Sequence, residues 1–154
     1  PTPAPTYKTI SNIELASLTS SQGISITGTG ANFRSGYSVS DAGDVNGDGY
    51  TDIIVGEPFA NKEAGIAYVI FGSSSPSNID LTNLSINQGF SIFGTFSYDQ
   101  SGFSVSSAGD INGDGYDDLI IGANEADGQG RTRSGTTYII FGKSNGFSNI
   151  DLVH

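Results

Sequence analysis

The 154-residue chain has no cysteine, no methionine and no tryptophan, and its single histidine is the last residue, His154. Without cysteine there is no disulfide to staple the fold, no thiolate for structural zinc and no thiol nucleophile. A lone terminal histidine and the absence of any G-x-S-x-G elbow leave nucleophilic catalysis without its usual parts. Only six lysines and arginines face sixteen acidic residues, for a formal charge of −10, and of the six only Arg131 and Arg133 stand close together. With no basic patch, nucleic acid and anionic lipid are excluded as partners. No long apolar run exists either, so no segment reads as a transmembrane helix. The lack of cysteine does not place the chain in the cytosol, since exported proteins can also do without it.

What is abundant is glycine, 22 residues of it, together with Ser, Thr and Asn between short β-branched and aromatic runs. No stretch keeps a 3.6-residue apolar period, so the expected class is all-β, short strands punctuated by turns. The length suits one domain with a true core. The opening P-T-P-A-P-T reads as extended polyproline-type chain, so residues 1–10 are expected to be a Pro/Thr-rich linker, trimmed from a longer precursor.

Seven of the acidic residues lie in two near-identical nonapeptides, D-V-N-G-D-G-Y-T-D from Asp44 and D-I-N-G-D-G-Y-D-D from Asp110, 66 residues later. Side-chain oxygens fall at alternate positions: Asp44, Asn46, Asp48 and Asp52, then Asp110, Asn112, Asp114 and Asp118. Calcium takes about six to eight oxygen ligands at roughly 2.3–2.6 Å, and a 1, 3, 5, 7, 9 spacing supplies them from one short loop. The seventh position contributes a backbone carbonyl, from Tyr50 or Tyr116, and Gly49 and Gly115 stand where the loop turns sharply. Two bound Ca2+ ions would bring the charge from −10 to −6. An Asx-rich turn without metal is the plain alternative. An EF-hand is excluded, because its bidentate twelfth-position Glu is replaced by Val55 and Ile121, both within strand runs. With the sphere nearly full and no base beside it, the ion's expected role is structural. Loops of modest affinity fill where free calcium is high, so an extracellular or cell-surface location is expected.

The duplication reaches beyond the loops. I-S-I-T-G-T at Ile24 matches F-S-I-F-G-T at Phe90, S-G-Y-S-V-S at Ser35 matches S-G-F-S-V-S at Ser101, and Y-V-I-F-G at Tyr68 matches Y-I-I-F-G at Tyr138. S-N-I-E-L at Ser11 returns as S-N-I-D-L at Ser77 and Ser148. Several short strands per repeat argue for stacked four-stranded units, because one small sheet cannot bury both faces alone. The runs S-G-Y-S-V-S, D-V-N-G-D-G-Y-T-D-I-I-V-G-E-P and Y-V-I-F-G resemble an FG-GAP repeat, the blade of the integrin alpha-subunit β-propeller and of many bacterial surface proteins. The resemblance covers about Ser11 to Leu152 and implies calcium loops between the first and second strands of each blade, with adhesion or protein interaction as the role. It also admits a propeller attached to an enzyme, as in phospholipase-like relatives. The G-A-P triplet departs to G-E-P at Gly56 and G-A-N at Gly122.

On that reading residues 11–34 carry an outer strand at 24–28 that belongs to a preceding blade. Residues 35–94 form a complete blade, with strands at 35–40, 52–56, 65–71 and 90–94. Residues 95–154 form a second blade, with strands at 101–106, 118–122 and 135–141, that lacks its outer strand and runs into the start of a third unit. Two blades do not close a propeller. Either the chain is part of a longer propeller, or identical copies share blades head to tail as a ring or filament. A solitary monomer would leave a strand edge unpaired. Tyr37, Phe71, Phe103 and Phe141 are expected to pack blade on blade. Phe33, Phe96 and Tyr98, and the loop Ala123–Ser134 with Glu125, Asp127, Arg131 and Arg133, are candidates for contacting a protein or glycan ligand.

Overall fold

A computed structural model describes residues 13–128 and 131–153. The linker expected at residues 1–10 lies outside them. The described strands are β1 (Ile26–Thr27), β2 (Ser38–Gly43), β3 (Asp52–Glu57), β4 (Ile66–Ile70), β5 (Ile79–Asp80), β6 (Gly89–Gly94), β7 (Ser101–Gly109), β8 (Asp118–Ala123), β9 (Thr136–Ile140) and β10 (Ile150–Leu152). The fold is all-β. Strands β2, β3, β4 and β6 make an antiparallel four-stranded blade, and β7, β8 and β9 make three strands of a second. The first blade's leading strand begins at Ser38, three residues later than the alternation suggests, because the chain before it turns at Gly36 with φ +79°.

The S-N-I-D-L phrases form strands that the sequence pattern did not disclose. β10 pairs parallel with β6, Ile150 opposite Ile92, and β5 pairs parallel with β1, Ile79 opposite Ile26. In each case the preceding asparagine fixes the register: Asn78 Oδ1 accepts the Ser25 N–H at 2.9 Å and Asn149 Oδ1 accepts the Ser91 N–H at 3.0 Å. An outer strand thus carries a parallel fifth strand on its far edge.

Successive side chains of a strand face opposite ways, so the first blade buries two faces. Ile54, Ala67, Val69, Phe90 and Ile92 join Ala42 and Val45 against Leu119 and Ile121 of the second blade. Val55, Ile66, Tyr68 and Ile70 face the other way, toward Ile79, Leu81, Ile26 and Phe33. Each fully buried Ile, Val, Leu or Phe contributes about 1.5–3 kcal/mol, so these two faces dominate the stability of the stack. At their contact the Ser38 hydroxyl donates to the Gly102 carbonyl at 2.7 Å, and Gly56 has no side chain to hold that carbonyl off.

One expected aromatic contact lies where the blades meet: Tyr37 and Phe103 stand 5.0 Å apart, ring centre to ring centre. Phe71 packs instead with Phe90 of its own blade and with Phe147, just before β10. Phe141 is exposed. Phe33, a ligand candidate in the sequence, is corrected: it packs against the apolar layer around Val55 and Tyr68.

Candidate metal loops and the opposite rim

The β2–β3 and β7–β8 connections are built alike, bond for bond. Asp44 Oδ1 accepts the N–H groups of Gly47 at 2.8 Å and Asp48 at 3.0 Å, and its Oδ2 accepts that of Gly49 at 2.9 Å. Asp110 does the same with Gly113, Asp114 and Gly115 at 2.7, 3.0 and 2.9 Å. The Asn46 side-chain amide donates to Asp48 Oδ2, and that of Asn112 to Asp114 Oδ2, each at 2.9 Å. Asp48 Oδ1 accepts from the Tyr50 amide and Asp114 Oδ1 from the Tyr116 amide. Gly49 and Gly115, at φ +88° and +92°, hold a backbone conformation that a side chain would strain. The short Asp, Asn and Gly alphabet therefore wraps each loop around its first carboxylate.

Asp52 and Asp118 differ from these partly or fully exposed residues, being the first, fully buried residues of β3 and β8. Asp52 accepts from the Val45 and Gly72 amides at 3.0 and 2.8 Å, and Asp118 from those of Ile111 and Gly142 at 3.0 and 2.9 Å. Burial pushes the Asp52 carboxyl up to about 6; the Gly72 and Val45 amides oppose that rise, and the charges of Asp48 and Asp44 add to it. Each carboxylate oxygen keeps a further lone pair beyond the one its amide uses.

The donor set suits a hard divalent cation. Each loop offers three carboxylates, an amide oxygen and a backbone carbonyl, with no nitrogen or sulfur ligand. A carboxyl disfavoured by burial, and to a lesser degree by two neighbouring carboxylates, is one whose ionised form such an ion would stabilise. Among the described residues no three acidic side chains converge into a preformed metal cage, because the loop oxygens lie on backbone amides.

The other end of the blades has a different character. All eight described non-glycine residues at positive φ lie in its loops: Asn32 and Arg34 before β2, Asn61, Lys62 and Glu63 between β3 and β4, Tyr98 and Gln100 before β7, and Arg133 before β9. Three consecutive left-handed residues, at φ 50°, 59° and 63°, are costly for L-amino acids. The surroundings hold them: the Lys62, Glu63 and Ala64 carbonyls accept the Tyr98, Gln100 and Ser101 amides. Phe96 and Tyr98 are exposed here. The arginine-bearing loop is partly self-neutralised, with Arg133 Nε 3.1 Å from Glu125 Oε2 and the Arg133 N–H on Asp127 Oδ1 at 2.8 Å. No helix among the described residues is long and apolar enough to cross a membrane.

Comparison with known proteins decides the family. The FG-GAP repeat family matches residues 35–70 and 101–140, the first three strands of each blade with their loops. The chain is an FG-GAP repeat protein. Its repeats are similar to those of integrin alpha pat-2 of Caenorhabditis elegans, 41% identical over 91 residues that make up 58% of this chain and 7% of that one. They are also similar to mouse integrin alpha-8, 36% identical over 99 residues, 64% of this chain and 9% of the relative. Mouse phosphatidylinositol-glycan-specific phospholipase D shares 31% identity over 110 residues, 67% of this chain and 12% of that protein. The FG-GAP segment thus spans about a tenth of the length of these relatives.

Proposed function

We propose that this chain is a calcium-braced, non-enzymatic binding module of the β-propeller type, working outside the cell or at its surface and joined to further copies of itself through its open blades. The observation that carries the calcium reading is the bond-for-bond identity of the two oxygen-rich loops. Asp44, Asn46, Asp48, the Tyr50 carbonyl and Asp52 would hold one ion, and Asp110, Asn112, Asp114, the Tyr116 carbonyl and Asp118 the other. An ion bound there would supply positive charge against the carboxylates of each loop; the chain's own residues set the loop's shape and tie it to the first residues of β3 and β8. Binding to the folded state alone stabilises it by RT ln(1 + [L]/Kd) per site. Melting of Asp48→Ala in calcium and in chelator tests this: a smaller calcium-dependent rise than the parent supports it, and an unchanged rise contradicts it.

A second reading concerns the ligand. The strained, over-determined loops gathered at one rim, with Tyr98 and Phe96 exposed among them, favour recognition of a protein or glycan there, opposite the metal loops. Binding to a glycan or cell-surface protein panel that is lost in Tyr98→Ala, with calcium stabilisation intact, supports an adhesive role. Binding that survives the change removes this rim from consideration.

A further inference from the structure

The contact between the two blades is a template for what covers the open ends. Among the described residues β6 lies between β4 and β10, whereas its repeat counterpart β1 has β5 on one edge and no strand on the other. Among the described strands β9, the counterpart of β4, likewise pairs only with β8. We infer that β1 of a second copy of this chain adds antiparallel to β9 in one fixed register, Thr27 opposite Thr136, Ile26 opposite Thr137, Ser25 opposite Tyr138 and Ile24 opposite Ile139. This inference rests on the self-joining module proposed above and names its interface.

The register is the β4–β6 pairing carried over by the repeat: Ile66 faces Phe93, Ala67 faces Ile92, Tyr68 faces Ser91 and Val69 faces Phe90. The faces agree with the edges. Val69 is fully buried between the blades, while its counterpart Ile139 is 45% exposed on the open side of the second blade. At the other end, Leu119 and Val105 pack against the first blade, while their counterparts Ile53 and Val39 are 38% and 63% exposed. Docking a second copy by the same geometry brings Val39 and Ile53 onto Ile120 and Ile139. It also brings the Gly36 carbonyl to the Ser104 hydroxyl, as Gly102 meets Ser38 within the chain. Gly36 shares the positive φ of Gly102, at +79° against +84°, and has open space around it.

The arrangement is heterologous and propagates, so three or four copies would give the six or eight blades of a closed ring. It also accounts for a spare segment. In a docked copy the phrase around Ile13 and Leu15 falls where Ile150–Leu152 already pairs with β6, and Leu15 is 82% exposed, off any sheet.

The test uses the cysteine-free chain in calcium. Equal mixtures of Thr27→Cys and Thr136→Cys chains are oxidised mildly and compared with mixtures of Ser25→Cys and Thr136→Cys, two residues out of register, while sedimentation records the mass. Opposed residues lie about 4.5–5.5 Å apart by Cα, within disulfide reach, whereas the diagonal is not. Expected are oligomers, at least tenfold faster covalent dimerisation in register, and loss of association in Ile139→Asp with its calcium-dependent melting unchanged. Oligomers that crosslink no faster in register overturn the inference and leave the self-joining module standing. A chain that stays monomeric at all concentrations assigns the β9 edge to another occupant and overturns both.

Discussion

The Asp117 carboxylate accepts the backbone N–H of Asp44 at 2.7 Å, and the Asp117 N–H donates to the Asp44 carbonyl at 3.2 Å, so the eighth residue of the second loop clasps the first residue of the first. The Lys143 amide adds a bond to the Val45 carbonyl at 2.9 Å, and Tyr116 lies against Gly47. The two loops are thereby one mechanical unit across the blade contact.

Asp117→Ala leaves the Asp44 amide without its acceptor. Such a loss costs about 1–3 kcal/mol, to be read by urea denaturation. Because it loosens the entry to the first loop, calorimetry should show the first site weakened more than the second, with two sites still counted.

Glu57, the residue that departs from the family triplet, is fully buried and holds the chain end that follows β1. Its Oε1 accepts the Thr29 N–H at 3.0 Å and its Oε2 the Thr29 hydroxyl at 2.7 Å. In the second repeat the position is Ala123, and the Thr95 hydroxyl bonds the Leu152 carbonyl instead. Glu57→Ala should cost about 2–3 kcal/mol. Amide exchange at Thr29 should quicken while the calcium response stays as in the parent; an unchanged exchange rate would remove the latch.

The raised Asp52 carboxyl sets a pH dependence in chelator. Below its ordinary value of 3.8 the group is protonated folded and unfolded alike, and between there and about 6 only the folded state keeps the proton. Its share of the stability therefore falls as pH rises through that window, and above it the full penalty stands. Urea midpoints measured from pH 4 to 7 should show this fall, flattened in Asp52→Asn. Calcium should suppress it, since the ion compensates the ionised form.

Much of this was legible in the sequence because it is local or repeated. The loops follow from alternate oxygens and glycines, and the strand positions from short β-branched runs recurring 66 to 70 residues apart. Three features were not legible, each for a physical reason. β5 and β10 have two and three residues, too few to show a period, and their parallel partners lie far along the chain. The Asp117 clasp joins residues 73 positions apart, and at its place the first loop carries Thr51, so the repeat itself hides it. Glu57 read only as a departure from a motif, because its partner Thr29 belongs to the segment before the blade. Phe33 was misjudged because a loop aromatic outside the matched positions can still fold back onto the core.

Calorimetric titration of calcium into the chelator-stripped chain tests the central claim most directly. The account predicts two ions per chain, falling to one in Asp48→Ala and to none in the Asp48→Ala, Asp114→Ala double variant, with the melting temperature falling in step. No heat of binding at millimolar calcium, or the same stoichiometry in all three proteins, would contradict it.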